Sequence, residues 1–145
     1  MTGILLRLLT LENLAVLAGS LHFCQLPALL FAPKMLNWSE EFGRLSLINR
    51  RIFQLIGIAI MWMSLWLGLI VIIAHKELVN GSLLGKLLCC YLGFVWGFRA
   101  VVQVFVYWKL WPGGWLGVLS NYGLTALLFF LTGLYFFLFA MGCLV

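Results

Sequence analysis

Four long apolar runs separated by short polar loops dominate this chain and limit what it can fold into. They lie at about 11–31, 52–74, 84–108 and 119–144. Each is close to the roughly 20 residues that an α-helix needs to cross the hydrocarbon of a bilayer. In hydrocarbon a backbone has only itself to hydrogen-bond with, and a helix satisfies every donor and acceptor within one segment. Charge is scarce: 9% of the 145 residues are Asp, Glu, Lys or Arg, against about a quarter in a soluble domain. That is too little polar surface for a water-soluble globule, and the mean hydropathy of +1.14 agrees. The expected fold is all-α: a polytopic integral membrane four-helix bundle, one transmembrane domain over 1–145, with very little mass in its loops.

Local signals set the expected limits of each element. Thr10 is placed to cap the first span, and Glu12 suits the positive end of the helix dipole. Pro27 lies inside that span, frees the carbonyl of Phe23 and predicts a kink. Pro33 is the expected end of the helix. Residues 1–10 read as a short interfacial helix or a lead-in to the span. They are expected to stay attached, because Glu12 and Asn13 interrupt the apolar run and no clean cleavage pattern follows. Asn37-Trp38-Ser39-Glu40 has the form of a capping box and predicts a short interfacial helix held by Trp38 and Phe42. Asn49 is the expected cap of span two. Trp108, Trp111 and Trp115 around Pro112-Gly113-Gly114 predict a tight turn in an aromatic belt.

Loop charges give an orientation. Lys34, Arg44, Arg50, Arg51 and Lys109 fall in loops one and three, while Arg7, Lys76 and Lys86 fall at the termini and in loop two. The excess of Lys and Arg predicts loops one and three in the cytoplasm and both termini outside it. With a net charge of +5, the basic residues lie between apolar runs. They read as topology signals and contacts to membrane lipids, not as a nucleic-acid footprint.

Several chemistries lack their residues. No G-x-S-x-G, H-E-x-x-H, P-loop or carboxylate pair occurs. Asp is absent and the four Glu lie at interfaces or in loops, which removes a carboxylate proton relay. Cys24, Cys89, Cys90 and Cys143 form no C-x-x-C and support no disulfide framework. His75 with Cys89, Cys90 and Cys143 at similar depth matches no standard metal-site spacing, so no metal is expected.

The residues hardest to explain as structure alone are polar and intramembrane. Arg99 falls near the middle of span three, where a cation that cannot shed its proton needs water, acceptors or a counter-charge. Trp96 and Gln103 share its helix face. His22 and Gln25 lie at comparable depth in span one, so counting from the span starts pairs His22 with Arg99 and Gln25 with Gln103. Gln54, Asn121 and Thr125 reach the same half of the membrane, and one shared cavity would unite all seven. The candidate ligand or partner residues are Arg99, Gln103, His22, Gln25, Trp96 and Gln54. Gly93 with Gly97, and Ser64 with Gly68, are small-x-x-x-small pairs suited to close helix packing, within the chain or against a partner.

Two stretches also carry a family likeness. Leu21-His22-Phe23-x-x-x-Pro27 with Asn49-Arg50-Arg51-Ile52-Phe53, and Phe94-x-Trp96-Gly97-x-Arg99-x-x-x-Gln103-x-Phe105, together resemble a family of small uncharacterised bacterial four-helix inner-membrane proteins. The resemblance implies a bacterial inner-membrane setting and brings no activity with it. Ala18-Gly19 with Leu26-Pro27 is similar, more weakly, to the first helix of the bacterial four-helix membrane protoporphyrinogen oxidases. Their basic residue partway along span three and their acidic motif near span four are missing here. The leading expectation is a non-enzymatic accessory or structural subunit of a larger membrane assembly, in contact with a partner membrane subunit or a second copy. A redox protein holding haem, another porphyrin or a quinone near His22 and Arg99 is the alternative from another class. Transport of a small anion or amphiphile past Arg99 is a third.

Overall fold

The computed structural model describes residues 10–111 and 113–144, and among these every regular element is helical. In chain order they are α1 (Leu11–Phe23), α2 (Gln25–Met35), α3 (Trp38–Gly43), α4 (Leu47–Ile73), α5 (His75–Val79), α6 (Leu83–Phe105), a 3-10 turn (Tyr107–Lys109) and α7 (Trp115–Leu144). Three of them are long and apolar enough to cross a membrane: Leu47–Ile73, α6 extended through the 3-10 turn to Lys109, and Trp115–Leu144. The expected lead-in at residues 1–9 lies outside the described residues, as does Pro112 of the expected turn. The flanking Gly114 has φ +90°, a conformation that glycine adopts without a Cβ clash.

The first apolar run is not one long helix. It breaks at Cys24 into pieces of 13 and 11 residues. The cause is the predicted one. Pro27 has no N–H to offer the carbonyl of Phe23, and the Cys24 N–H closes a tighter bond of 3.2 Å to Leu21 O. Pro33, in contrast, does not end the helix; α2 continues through it to Met35.

Two caps also differ from expectation. Ser46, not Asn49, caps α4, its side chain accepting from the Asn49 N–H at 3.4 Å. The helix therefore starts at Leu47, a turn ahead of the apolar run. Asn37 does not complete a capping box. It sits in the left-handed region at φ 49° without a side-chain bond to the helix backbone, and its Nδ2 donates instead to Glu40 Oε2 at 2.7 Å. Thr10 does cap α1, accepting from the Asn13 N–H at 3.4 Å.

The long helices assemble as two pairs. α6 lies along α7, and α1 lies along α4; α1 also touches α7, and the short α5 wedges against α1, α6 and α7. α2 leans on α4 and α3. The buried apolar residues follow helical periods: Cys89, Leu92, Trp96 and Ala100 on α6, and Leu128, Leu131, Tyr135 and Leu138 on α7. α1 contributes Ala15 and Ala18. The opposite faces are crowded with exposed Ile, Leu, Phe and Trp, the pattern of helices whose solvent is lipid.

Small residues carry the helix contacts. A Cβ built on Gly19 would lie 2.7 Å from Ile72 Cγ1 and 2.9 Å from the carbonyl oxygen of Gly68. One built on Gly68 would lie 2.9 Å from the carbonyl oxygen of Gly19 and 3.0 Å from His22 Cβ. The α1 and α4 backbones thus touch, with Ser64 buried one turn before Gly68. A Cβ built on Gly93 would lie 3.0 Å from the Phe136 ring, and one on Gly97 3.4 Å from Thr132 Cγ2, so this pair packs α6 on α7 inside the chain. Gly68→Leu is expected to destabilise the protein by about 1–3 kcal/mol, the usual cost of overpacking. Gly123→Ala, with nothing within 4 Å of the added carbon, is expected to leave stability unchanged; thermal unfolding in detergent followed by circular dichroism reads both.

Candidate functional site

The polar residues of the spans divide among four places. The most enclosed is centred on His22, which is 0% exposed where α1 crosses α7 and faces α6. Its Nε2 and the Tyr135 hydroxyl are 2.7 Å apart. The imidazole meets the Trp96 ring at 5.0 Å and 85°, and the Tyr135 ring at 5.9 Å and 83°. Edge-to-face contact sets the positive rim of one ring against the negative face of another. His22 Nδ1 and Trp96 Nε1 are buried without a partner among the described residues, as is Nε2 of Gln25 one turn on. Uncompensated buried polar atoms are costly, so this crossing is a polar knot set into an apolar core.

The second place is between α6 and α7. Gln103 Nε2 donates to Asn121 Oδ1 at 2.8 Å, both residues buried. Thr125 returns its hydroxyl to the carbonyl of Asn121 at 2.7 Å. This link ties the α6–α7 pair at the end nearest their connecting turn, where Trp111 Nε1 also donates to Ser120 Oγ at 3.0 Å.

Arg99 belongs to neither knot. It is half-buried on α6 and lines a cleft of about 210 Å³ with Phe98, Val102, Gln103 and Tyr107. It has no hydrogen bond or ion pair to any described residue. Tyr107 lies two turns further toward the end of α6. The cleft therefore runs from Arg99 toward the helix terminus, the direction in which a long cationic side chain reaches for the membrane boundary. The fourth place holds Gln54, which faces a larger cleft between α2, α3 and α4.

Depth and facing thus part company. Sequence counting set His22 beside Arg99, but its neighbours are Trp96, one turn earlier, and Tyr135. Gln103 pairs with Asn121, not with Gln25. Gln54 stands apart because α4 packs on α1 and α2, away from the α6–α7 pair. No single cavity collects the seven residues. Tyr135 was missed altogether, although a phenol in the middle of an apolar helix is itself a signal, since its hydroxyl must find a partner.

The geometry bears on what the site can hold. A haem iron needs a free imidazole nitrogen with an open plane before it. His22 Nε2 is engaged by Tyr135; Nδ1 has no partner among the described residues, but it is buried in packed core and two rings stand against the imidazole, so these residues as arranged leave no open plane for a porphyrin. Among the described residues, His75 and the cysteines do not gather into a three-ligand group. His75 Nδ1 lies 2.8 Å from the carbonyl of Ile72, and Cys89 is buried while Cys143 is exposed.

No family model, curated protein or solved structure matches the chain.

Tyr135→Phe deletes the partner of His22 Nε2 and is expected to lower stability by about 0.6–1.7 kcal/mol, the range of hydrogen bonds between membrane helices. A double-mutant cycle with His22→Leu in the same detergent isolates the pair; a coupling of zero would show that the bond contributes nothing.

Proposed function

We propose that the chain is an accessory subunit of a larger membrane assembly, in which Arg99 receives an acidic side chain from a different membrane subunit. The observation that carries this reading is Arg99 itself, a cation on a membrane-length helix, facing a cleft, with no partner among the described residues. A guanidinium remains protonated in proteins, and at the centre of a bilayer helix it costs about 2.5 kcal/mol or more. The chain supplies no acid at that level: Asp is absent, and the Glu residues are 12, 40, 41 and 77. A second copy is equally without one, which favours a different partner over a homo-oligomer.

The outer face of α6 supports the same reading. Tyr91, Phe94, Phe98, Val101 and Phe105 are all exposed, and their spacing alternates between three and four residues. That is the repeat by which one helix seats knobs into another. Phe98, 70% exposed, joins this seam to the Arg99 cleft. A partner helix lying along the seam places an Asp or Glu within reach of the guanidinium.

The setting belongs to the proposal. α1 and α2, laid end to end, reach about 37 Å at 1.5 Å per residue, enough to cross the hydrocarbon as a broken span. A break is tolerated at membrane depth where protein covers it. The chain then crosses four times, with loops one and three in the cytoplasm of a bacterial cell and the termini on the other side of the inner membrane.

Gentle detergent extraction followed by native mass measurement is expected to show a second, different chain with the wild type. Arg99→Leu is expected to lose it without loss of helical signal. A wild-type protein that runs as a monomer with no companion would overturn the reading. In a cysteine-free background, Asn80→Cys is expected to react with an impermeant maleimide on intact spheroplasts, and Ser39→Cys only after permeabilisation. The reverse pattern would invert the topology.

A further inference from the structure

The larger cleft, about 680 Å³, is a separate feature that the Arg99 reading does not use. Its floor is one face of α4: Arg50, Gln54, Gly57, Ile58 and Met61 fall at i, i+4, i+7, i+8 and i+11. Over this stretch α4 rises about 16 Å. Pro33 of α2 and the rings of α3 wall the other side. Trp38 and Phe42 are 5.1 Å apart, and Phe42 stacks on Phe53 of α4 at 6.0 Å.

The cleft is polarised along its length. Ser39, Arg50 and Gln54 stand at the end where α4 begins; Gly57, Ile58 and Met61 continue it into the apolar body of the helix. Arg50 is half-buried and held in place, its Nε donating to the carbonyl of Phe42 at 2.9 Å. Its two terminal nitrogens bond to no described residue, so a fixed guanidinium presents free donors at the mouth. Lys34, Arg44 and Arg51 lie in the neighbouring sequence. Arg44 is engaged with Glu40 at 3.1 Å and Arg51 donates to Gln54 Oε1 at 3.4 Å, which leaves Arg50 as the cation that lines the cleft with unused donors. Beyond it, Gly57 opens the groove, with nothing within 4 Å of where a Cβ would stand.

We propose that this cleft is a binding site for one anionic phospholipid. The phosphate lies on the Arg50 guanidinium, Ser39 and Gln54 contact the headgroup, and an acyl chain follows Gly57, Ile58 and Met61. The order of chemistry along the groove matches such a lipid end for end: charge at the membrane boundary, then hydrocarbon. Basic pockets between membrane helices at the boundary select anionic headgroups by this means. The site is separate from Arg99, so either assignment stands or falls alone.

The test uses the delipidated full chain in detergent, titrated with phosphatidylglycerol or with phosphatidylcholine of the same acyl chains; bound lipid is read by native mass spectrometry. The expected result is preferential retention of phosphatidylglycerol. Arg50→Gln should weaken it about fivefold, the contribution of one basic residue at an anionic surface. Arg50→Lys should keep the preference although it loses the bond to Phe42, which separates charge from a structural role. Gly57→Phe, which fills the apolar half, should reduce retention of both lipids, and Arg44→Gln should change neither. Matched helical circular dichroism qualifies each variant. Equal retention of the two lipids by the wild type would overturn the proposal. So would unchanged retention in both Arg50→Gln and Gly57→Phe, and so would displacement of the lipid by inorganic phosphate, which would mark a free-anion site.

Discussion

The backbone contact between Gly19 and Gly68 fixes the rest of the arrangement. Lipid tails are as apolar as leucine, so apolar burial alone gives two membrane helices little reason to associate. They hold together where backbones approach closely enough for many weak contacts to add. At Gly19 and Gly68 each carbonyl oxygen lies 2.9 Å from where the other residue would carry a Cβ, so no larger residue fits on either side without displacement. This crossing brings α1 against α4 on one flank and leaves its other flank for α7. His22 is carried into the core as a consequence, since its Cβ rests against Gly68.

The same lack of apolar drive explains why the polar residues sit where they do. The α6–α7 pair is closed at one end by Gln103 and Asn121, and the α1–α7 crossing is marked by His22 and Tyr135. In both cases the bonded groups are satisfied by each other in a medium that offers nothing else. They set which faces meet, because a rotated helix would leave the amide or the phenol without a partner. Glycines at 93 and 97 then let Phe136 and Thr132 approach on the same pair.

Arg99 and Arg50 are the two cations that line clefts outside these bonded pairs. Every other basic side chain described here lies in a loop or at a helix end. Arg99 stands on a membrane-length helix with an aromatic seam beside it, and Arg50 stands at the mouth of a groove whose walls turn apolar with depth. Both carry donors that the described residues leave unused, yet each faces a differently shaped surface. A narrow cleft beside a repeating helix face suits another helix, and a long polarised groove suits a lipid.

Sequence alone determined the helical character, the positions of the apolar runs, the break that Pro27 causes near Cys24, the small-residue pairs, and Arg99 as the cation without a nearby acid. These follow from short-range rules: backbone satisfaction in hydrocarbon, the missing N–H of proline, and the charge of individual residues. The end of α2, the cap at Ser46 and the left-handed Asn37 were less legible, because Pro33 is tolerated inside a helix here and several polar residues compete for one cap. Tertiary structure decided which side of each helix faces which neighbour. Depth can be counted along a chain, but rotation about the helix axis and the choice of neighbour depend on contacts between distant residues. That is why His22 meets Trp96 and Tyr135 and not Arg99, and why Gln54 lines a groove of its own.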